Sequence, residues 1–163
     1  MFSYDIQALA RRVVEAGAAR GLTVACAESC TGGLVAAAIT AVPGSSAVLD
    51  RGFVTYSNAA KTGMLGVSPE VIEARGAVSE AVARAMAEGV LRNSGADVSV
   101  AVTGVAGPGG GSEEKPVGLV HFAAAGPLGV VHVEHRFGDI GREAVRLESV
   151  RTALGLLLDR IGA

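Results

Sequence analysis

Apolar residues recur at Ile6, Leu9, Ala10, Val13, Val14 and Gly17, with Ser3 ahead of them and Gly21 behind. That helical period, with a cap and a stop, predicts an amphipathic first helix packed on a sheet. The short apolar run Val24–Ala27 predicts a buried strand, and the run Leu34–Ile39 a helix that ends at Pro43-Gly44-Ser45-Ser46. Arg51–Tyr56, rich in aromatic and β-branched residues, reads as the next strand. Ser68-Pro69-Glu70 opens a helix that Gly76 stops, and Ser79-Glu80 opens a longer one whose buried face is Val82, Ala83, Met86, Ala87, Val90 and Leu91. Met64 and Met86 are read as core. Val98–Thr103 alternates as a strand, and Val117–Ala124 and Val130–Phe137 form a hairpin across Gly126-Pro127-Leu128-Gly129. A final helix follows Arg142, with Leu147, Val150, Leu154, Leu157, Leu158 and Ile161 inward. Strands alternating with helices and then a hairpin predict the α/β class, a three-layer α/β/α sandwich on a mixed β-sheet. Residues 1–163 are expected to form one domain.

Composition narrows the function. Hydrophobic residues make up 50% of the chain and aromatics only 4%, so the core is built from Ala, Val, Leu and Ile. No apolar run is long enough to cross a bilayer, and the first residues lack a basic segment followed by an apolar one, so neither a membrane span nor a signal peptide is expected. A net charge of −2 argues against a nucleic-acid partner. Cys26 and Cys30 have no second cysteine pair or nearby histidine to complete a metal site, and a reduced, cytoplasmic compartment fits them best. No cofactor and no metal are expected, and His121, His132 and His135 are read as ordinary strand residues. Of 14 basic residues only Lys61 and Lys115 are lysine. Composition bias explains many arginines, yet a retained lysine invites a chemical reason, because it can lose its proton when desolvated and arginine cannot.

Three polar corners follow strands, where open α/β sheets gather their ligands. The first is Ser29-Cys30-Thr31-Gly32-Gly33, between a strand and a helix. Its glycines let a ligand approach the backbone, and a helix starting there would aim N–H groups and a positive dipole end at it. The same residues would also serve as a plain strand-to-helix connection with Ser or Thr as the cap. The second corner carries Tyr56 at a strand end and Lys61 one short helical turn later, where they either converge on one point or form a rim aromatic and a surface charge. The third, Gly104–Pro116, is the longest irregular segment; it is either an anion-binding nest or a flexible loop. Ser46 is either a local cap or a hydroxyl facing the site. Arg142 and Arg146 stand in the first turns of the last helix, against the dipole preference, as a bound anion would favour.

Several familiar sites are absent. No Gly-Lys-Ser/Thr closes a glycine loop, the glycines from Gly104 to Gly111 do not fit a dinucleotide fingerprint, and no G-x-S-x-G elbow is present. What remains is a hydroxyl nucleophile with a lysine as base.

Taken together the motifs resemble the C-terminal domain of the CinA (competence/damage-inducible) family. They are Ala27–Gly33, Pro43–Ser46, Arg51–Asn58 with Lys61, Gly76–Ser79, Thr103–Pro108 and Glu114–Gly118, in that order over nearly the whole chain. The resemblance implies a CinA C-terminal-domain-like fold and hydrolysis of the carboxamide of nicotinamide mononucleotide to nicotinic acid mononucleotide and ammonia. It makes Ser29 the nucleophile, Lys61 the base and Tyr56 a relay or orienting group. N–H groups of Thr31, Gly32 and Gly33 are the candidate oxyanion donors. Ser46 and Thr103 match polar positions lining the family's pocket, and Gly104, Gly107 and Arg142 are candidates for the phosphate. Where the family has a Gly-Asp-Arg run, Asp139 is here separated from Arg142 by Ile140-Gly141, so Arg146 is the alternative. The family likeness also implies a homo-oligomer, a dimer or higher. The rival readings are a non-catalytic nucleotide-binding or regulatory module, and an enzyme with Cys30 as nucleophile.

Overall fold

The computed structural model describes residues 1–163, and its elements follow the apolar periods of the sequence. In chain order they are α1 (Tyr4–Arg20), β1 (Val24–Glu28), α2 (Leu34–Thr40), a 3-10 turn at Ser45–Ala47, β2 (Leu49–Val54), α3 (Asn58–Leu65), α4 (Pro69–Arg75), α5 (Glu80–Arg92), β3 (Val98–Gly104), β4 (Leu119–Gly126), β5 (Gly129–Arg136) and α6 (Arg142–Ile161). The five-stranded sheet runs β2-β1-β3-β4-β5. β1 is parallel to β2 and β3, whereas β3/β4 and β4/β5 are antiparallel. β1 is buried along its whole length, as befits a parallel strand covered on both faces. One layer of the core joins α1, α2 and α6 to Cys26, Val100, Val102 and Phe122. The other joins α3, α4 and α5 to Ala25, Ala27, Ala101 and Ala123. The result is the three-layer α/β/α sandwich on a mixed sheet. No helix is long and apolar enough to cross a membrane.

Register decides where the chemistry can gather. Glu28 pairs with Val54 on one side and Val102 on the other, so β1, β2 and β3 all deliver their carboxyl ends to one edge. The Ser29 turn, the Thr55–Lys61 segment and the Gly104–Gly118 loop therefore meet there. Ser46 does not. Its 3-10 turn feeds the amino end of β2, where the Val24 N–H donates to Val48 O, and Ser46 is exposed at the opposite edge of the sheet. This corrects its expected place in the pocket.

Other local expectations also shift for physical reasons. Ser3 stands before α1 without capping it; its hydroxyl accepts from Arg151 Nη2 of α6 instead. Asn58–Leu65 is a true helix, capped by Ser57 Oγ accepting from the Ala60 N–H. On that helix Lys61 and Leu65 turn inward while Met64 is exposed, so Met86 is core and Met64 is not. His121 and His132 are more than ordinary strand residues: Nδ1 of one faces Nε2 of the other at 2.9 Å.

Candidate active site

β1 ends in a carboxylate that shapes everything after it. Glu28 is 1% exposed, and its side chain points at the start of α2. It accepts from the Gly33 N–H at 3.0 Å, Val35 N–H at 3.0 Å and Ala36 N–H at 2.9 Å, and the Cys26 thiol lies 3.5 Å away. The carboxylate thus satisfies the donors that a helix start leaves free and opposes the positive end of the dipole. Gly32 and Gly33 have φ of 55° and 105°, which favour glycine, and the Gly32 N–H donates to Ser29 O. Neither glycine N–H is available to a ligand, contrary to the expected oxyanion set. Cys30 and Thr31 carry the N–H groups of this turn that have no protein acceptor.

The other side of the turn is held by α6. Arg146 donates from Nε to Cys30 O at 3.0 Å and from Nη2 to Thr31 O at 3.2 Å. Two of its N–H groups hold the turn, so the carbonyls of that turn account for a cation on a helix start without a bound anion. Ser29 itself is anchored by its N–H donating to Val102 O at 3.0 Å.

Ser29 and Lys61, 32 residues apart in sequence, come together. Lys61 is 1% exposed, and its Nζ lies 3.1 Å from Ser29 Oγ. The amine also donates to Thr55 O at 2.8 Å and to Tyr56 O at 3.4 Å. With two hydrogens committed to carbonyls, a neutral amine turns its lone pair toward the Ser29 hydroxyl. Burial pulls the lysine below its usual 10.5, because a desolvated ammonium is disfavoured. Tyr56 therefore meets Lys61 through its main chain. Its phenol lies at the exposed rim and accepts from Arg142 Nη2 at 3.1 Å.

Above Ser29 opens a cleft of about 290 Å³, walled by Cys30, Tyr56, Val78, the Gly104–Gly110 segment and Arg142. Arg142 crosses its mouth, since Nη1 donates to Gly107 O at 2.8 Å while Nη2 holds Tyr56. Of the expected binding residues, Gly104, Gly107 and Arg142 line the cleft. Thr103 lies behind its wall, buried, with Oγ1 donating to Ala77 O at 2.9 Å. Thr31 is fully buried, and its hydroxyl has no partner. Cys30 is 6% exposed, and burial pushes its thiol up to about 11, so at neutral pH it is a protonated, poor nucleophile. Arg146, the alternative for the phosphate, does not line this cleft. The sequence assigns no role to Glu28 or to the Ala77-Val78 strap, although both fall inside the motif stretches Ala27–Gly33 and Gly76–Ser79.

Glu28→Ala should cost about 3 kcal/mol, because it strands the buried Val35 donor and the partly buried Gly33 and Ala36 donors and unpins the turn. The drop would be read as a lower urea midpoint with an unchanged denaturant slope.

Residues 6–161 match the CinA C-terminal domain family. This chain belongs to that family. A family member from Enterobacter agglomerans, named nicotinamide-nucleotide amidohydrolase PncC, is 59% identical over 150 residues, covering 86% of this chain and 90% of that one. The CinA-like protein of Synechococcus sp. is 54% identical over 157 residues, which is 96% of this chain and 38% of the relative. The chain spans 35–38% of the length of such CinA-like relatives. Among solved CinA structures, the competence/damage inducible protein CihA from Agrobacterium tumefaciens superposes with a TM-score of 0.97 at 55% identity, over 100% of this chain and 99% of that one. A CinA superfamily protein from Klebsiella pneumoniae gives 0.91 at 39% identity, over 96% and 98%.

Proposed function

We propose that this chain hydrolyses the carboxamide of nicotinamide mononucleotide, giving nicotinic acid mononucleotide and ammonia. One observation carries the reading: a buried lysine amine, held by two carbonyls, lies 3.1 Å from the Ser29 hydroxyl at the floor of a cleft. A serine is a weak nucleophile without such a base. In the first step Ser29 Oγ bonds to the amide carbon as its proton passes to Lys61. The C–N bond then breaks, the same proton goes to the leaving nitrogen, and ammonia departs from an acyl-Ser29 ester. Water, deprotonated by Lys61, cleaves that ester to the carboxylate and restores Ser29. The free N–H group of Cys30, which lines the cleft, is the donor we assign to the oxyanion, such a donor being worth about 3 kcal/mol. Arg142 and the N–H groups of the Gly104–Gly110 segment receive the phosphate. The relative's name, nicotinamide-nucleotide amidohydrolase, supports the choice of substrate. Two buried free thiols support a reduced, cytoplasmic setting, and we carry over the homo-oligomeric state from the family likeness.

Incubation with nicotinamide mononucleotide should release ammonia and nicotinic acid mononucleotide one for one. The rate should be unchanged by chelator, and thiol alkylation should leave it intact because Cys30 is buried. Nucleotide binding without ammonia release would leave a binding module in place of an enzyme.

A further inference from the structure

The second of the two lysines has no part in the chemistry above, yet it too is held in one place. Lys115 is half-buried, and its Nζ donates to Arg75 O, the last carbonyl of α4, at 2.5 Å. It lies over Gly76, where a Cβ would come 2.5 Å from Nζ. The backbone around Lys115 is closed on itself, because its N–H donates to Ser112 Oγ at 3.0 Å and its carbonyl accepts from the Ser112 N–H at 2.9 Å. The ammonium is therefore presented on a formed turn.

Two consecutive carbonyls after Arg75 are captured as well. Gly76 O accepts from Ser79 Oγ at 2.8 Å and Ala77 O from Thr103 Oγ1 at 2.9 Å. The next residue, Val78, lines the Ser29 cleft opposite the Gly104–Gly110 segment. That glycine-rich loop is closed at its base, where the Val105 N–H donates to Leu119 O and the Gly118 N–H to Val105 O. Beyond its base it is fastened from two directions: Arg142 of α6 holds Gly107 O, and Lys115 reaches the end of α4.

We propose that Lys115 is a positioning residue for substrate binding: it latches the glycine-rich wall of the cleft to the Arg75–Ser79 strap, and Gly76 is the keyhole that admits its ammonium. A helix C-terminus favours a cation, and a charged donor to a carbonyl is stronger than a neutral one. The slender ammonium fits the space above Gly76, whereas a planar guanidinium is wider and one atom longer. This supplies a steric reason for lysine at 115 in a chain that otherwise uses arginine, distinct from the proton-transfer reason at Lys61.

The role in binding rests on the proposed amidase reading, but the latch itself does not, so the test has two arms. In Lys115→Met, hydrogen exchange across Gly104–Pro116 should speed up by about tenfold, while α1 and α6 keep their protection. In the assay with nicotinamide mononucleotide, KM should rise by about five- to tenfold with kcat and its rise with pH, set by Lys61, unchanged. Lys115→Arg should behave like Lys115→Met. Unchanged exchange in Lys115→Met would overturn the latch, as would full recovery of KM and exchange in Lys115→Arg. A fall in kcat or a shifted pH limb would also overturn it, because Lys115 would then act on the chemistry. An inactive wild type whose loop still loosens in Lys115→Met would reject the amidase reading and keep the latch.

Discussion

Ser29→Ala should lower the rate of amide hydrolysis by about 10⁴-fold or more, since removing a nucleophile that works as a unit with its base eliminates the covalent route. The fold should survive. The Ser29 N–H that anchors the turn to Val102 O is main chain, and Glu28 and Arg146 hold the turn through backbone atoms on either side. Nicotinamide mononucleotide should still bind, because the cleft walls and Arg142 are untouched. Ammonia release and titration calorimetry on the same preparation check both halves. A variant that turns over at the wild-type rate would move the nucleophile elsewhere, and Cys30 would be examined first. Its raised thiol pKa argues against it.

Lys61→Arg and Lys61→Met should each cost about 10³-fold, within the range expected for loss of a positioned general base. Arginine keeps a positive charge but cannot release its proton, so it separates a base from a mere counter-charge. Methionine keeps much of the volume in a fully buried place and guards against the objection that arginine does not fit. The wild-type pH profile supplies the sign. Burial lowers the folded-state pKa of Lys61 from 10.5, so the neutral, reactive amine is populated at lower pH than in free lysine. The rate should climb as pH rises through that lowered value and fall as pH drops below it. The climbing limb should vanish in both variants, and a full rate in Lys61→Arg would assign the lysine a purely electrostatic role.

The sequence shows the strands, the longer helices and the three polar corners, because apolar period and turn residues are local signals. The site needed more than local signals. Lys61 looks equally like a surface charge until α3 and the Thr55–Tyr56 turn are in place, and the oxygens that bury it comfortably belong to main-chain carbonyls, which leave no trace in residue identity. Glu28 was visible as a motif residue, but only the register of β1 shows that its side chain faces α2. Arg146 in the sequence suggests a bound anion, whereas in the structure the carbonyls of a distant turn meet the same need. Ser46 differs for another reason: both its sequence and the family likeness allow it to face the site, and only the direction of β2 shows that it sits at the opposite edge of the sheet.

The clamp on Lys61 has an evolutionary consequence. Every residue type presents a carbonyl, so drift in the side chains at positions 55 and 56 leaves both acceptors in the same place, whereas inserting or deleting one residue between 55 and 61 would swing the amine off the hydroxyl. Among descendants of this protein, spacing along that stretch should be guarded more strictly than spelling.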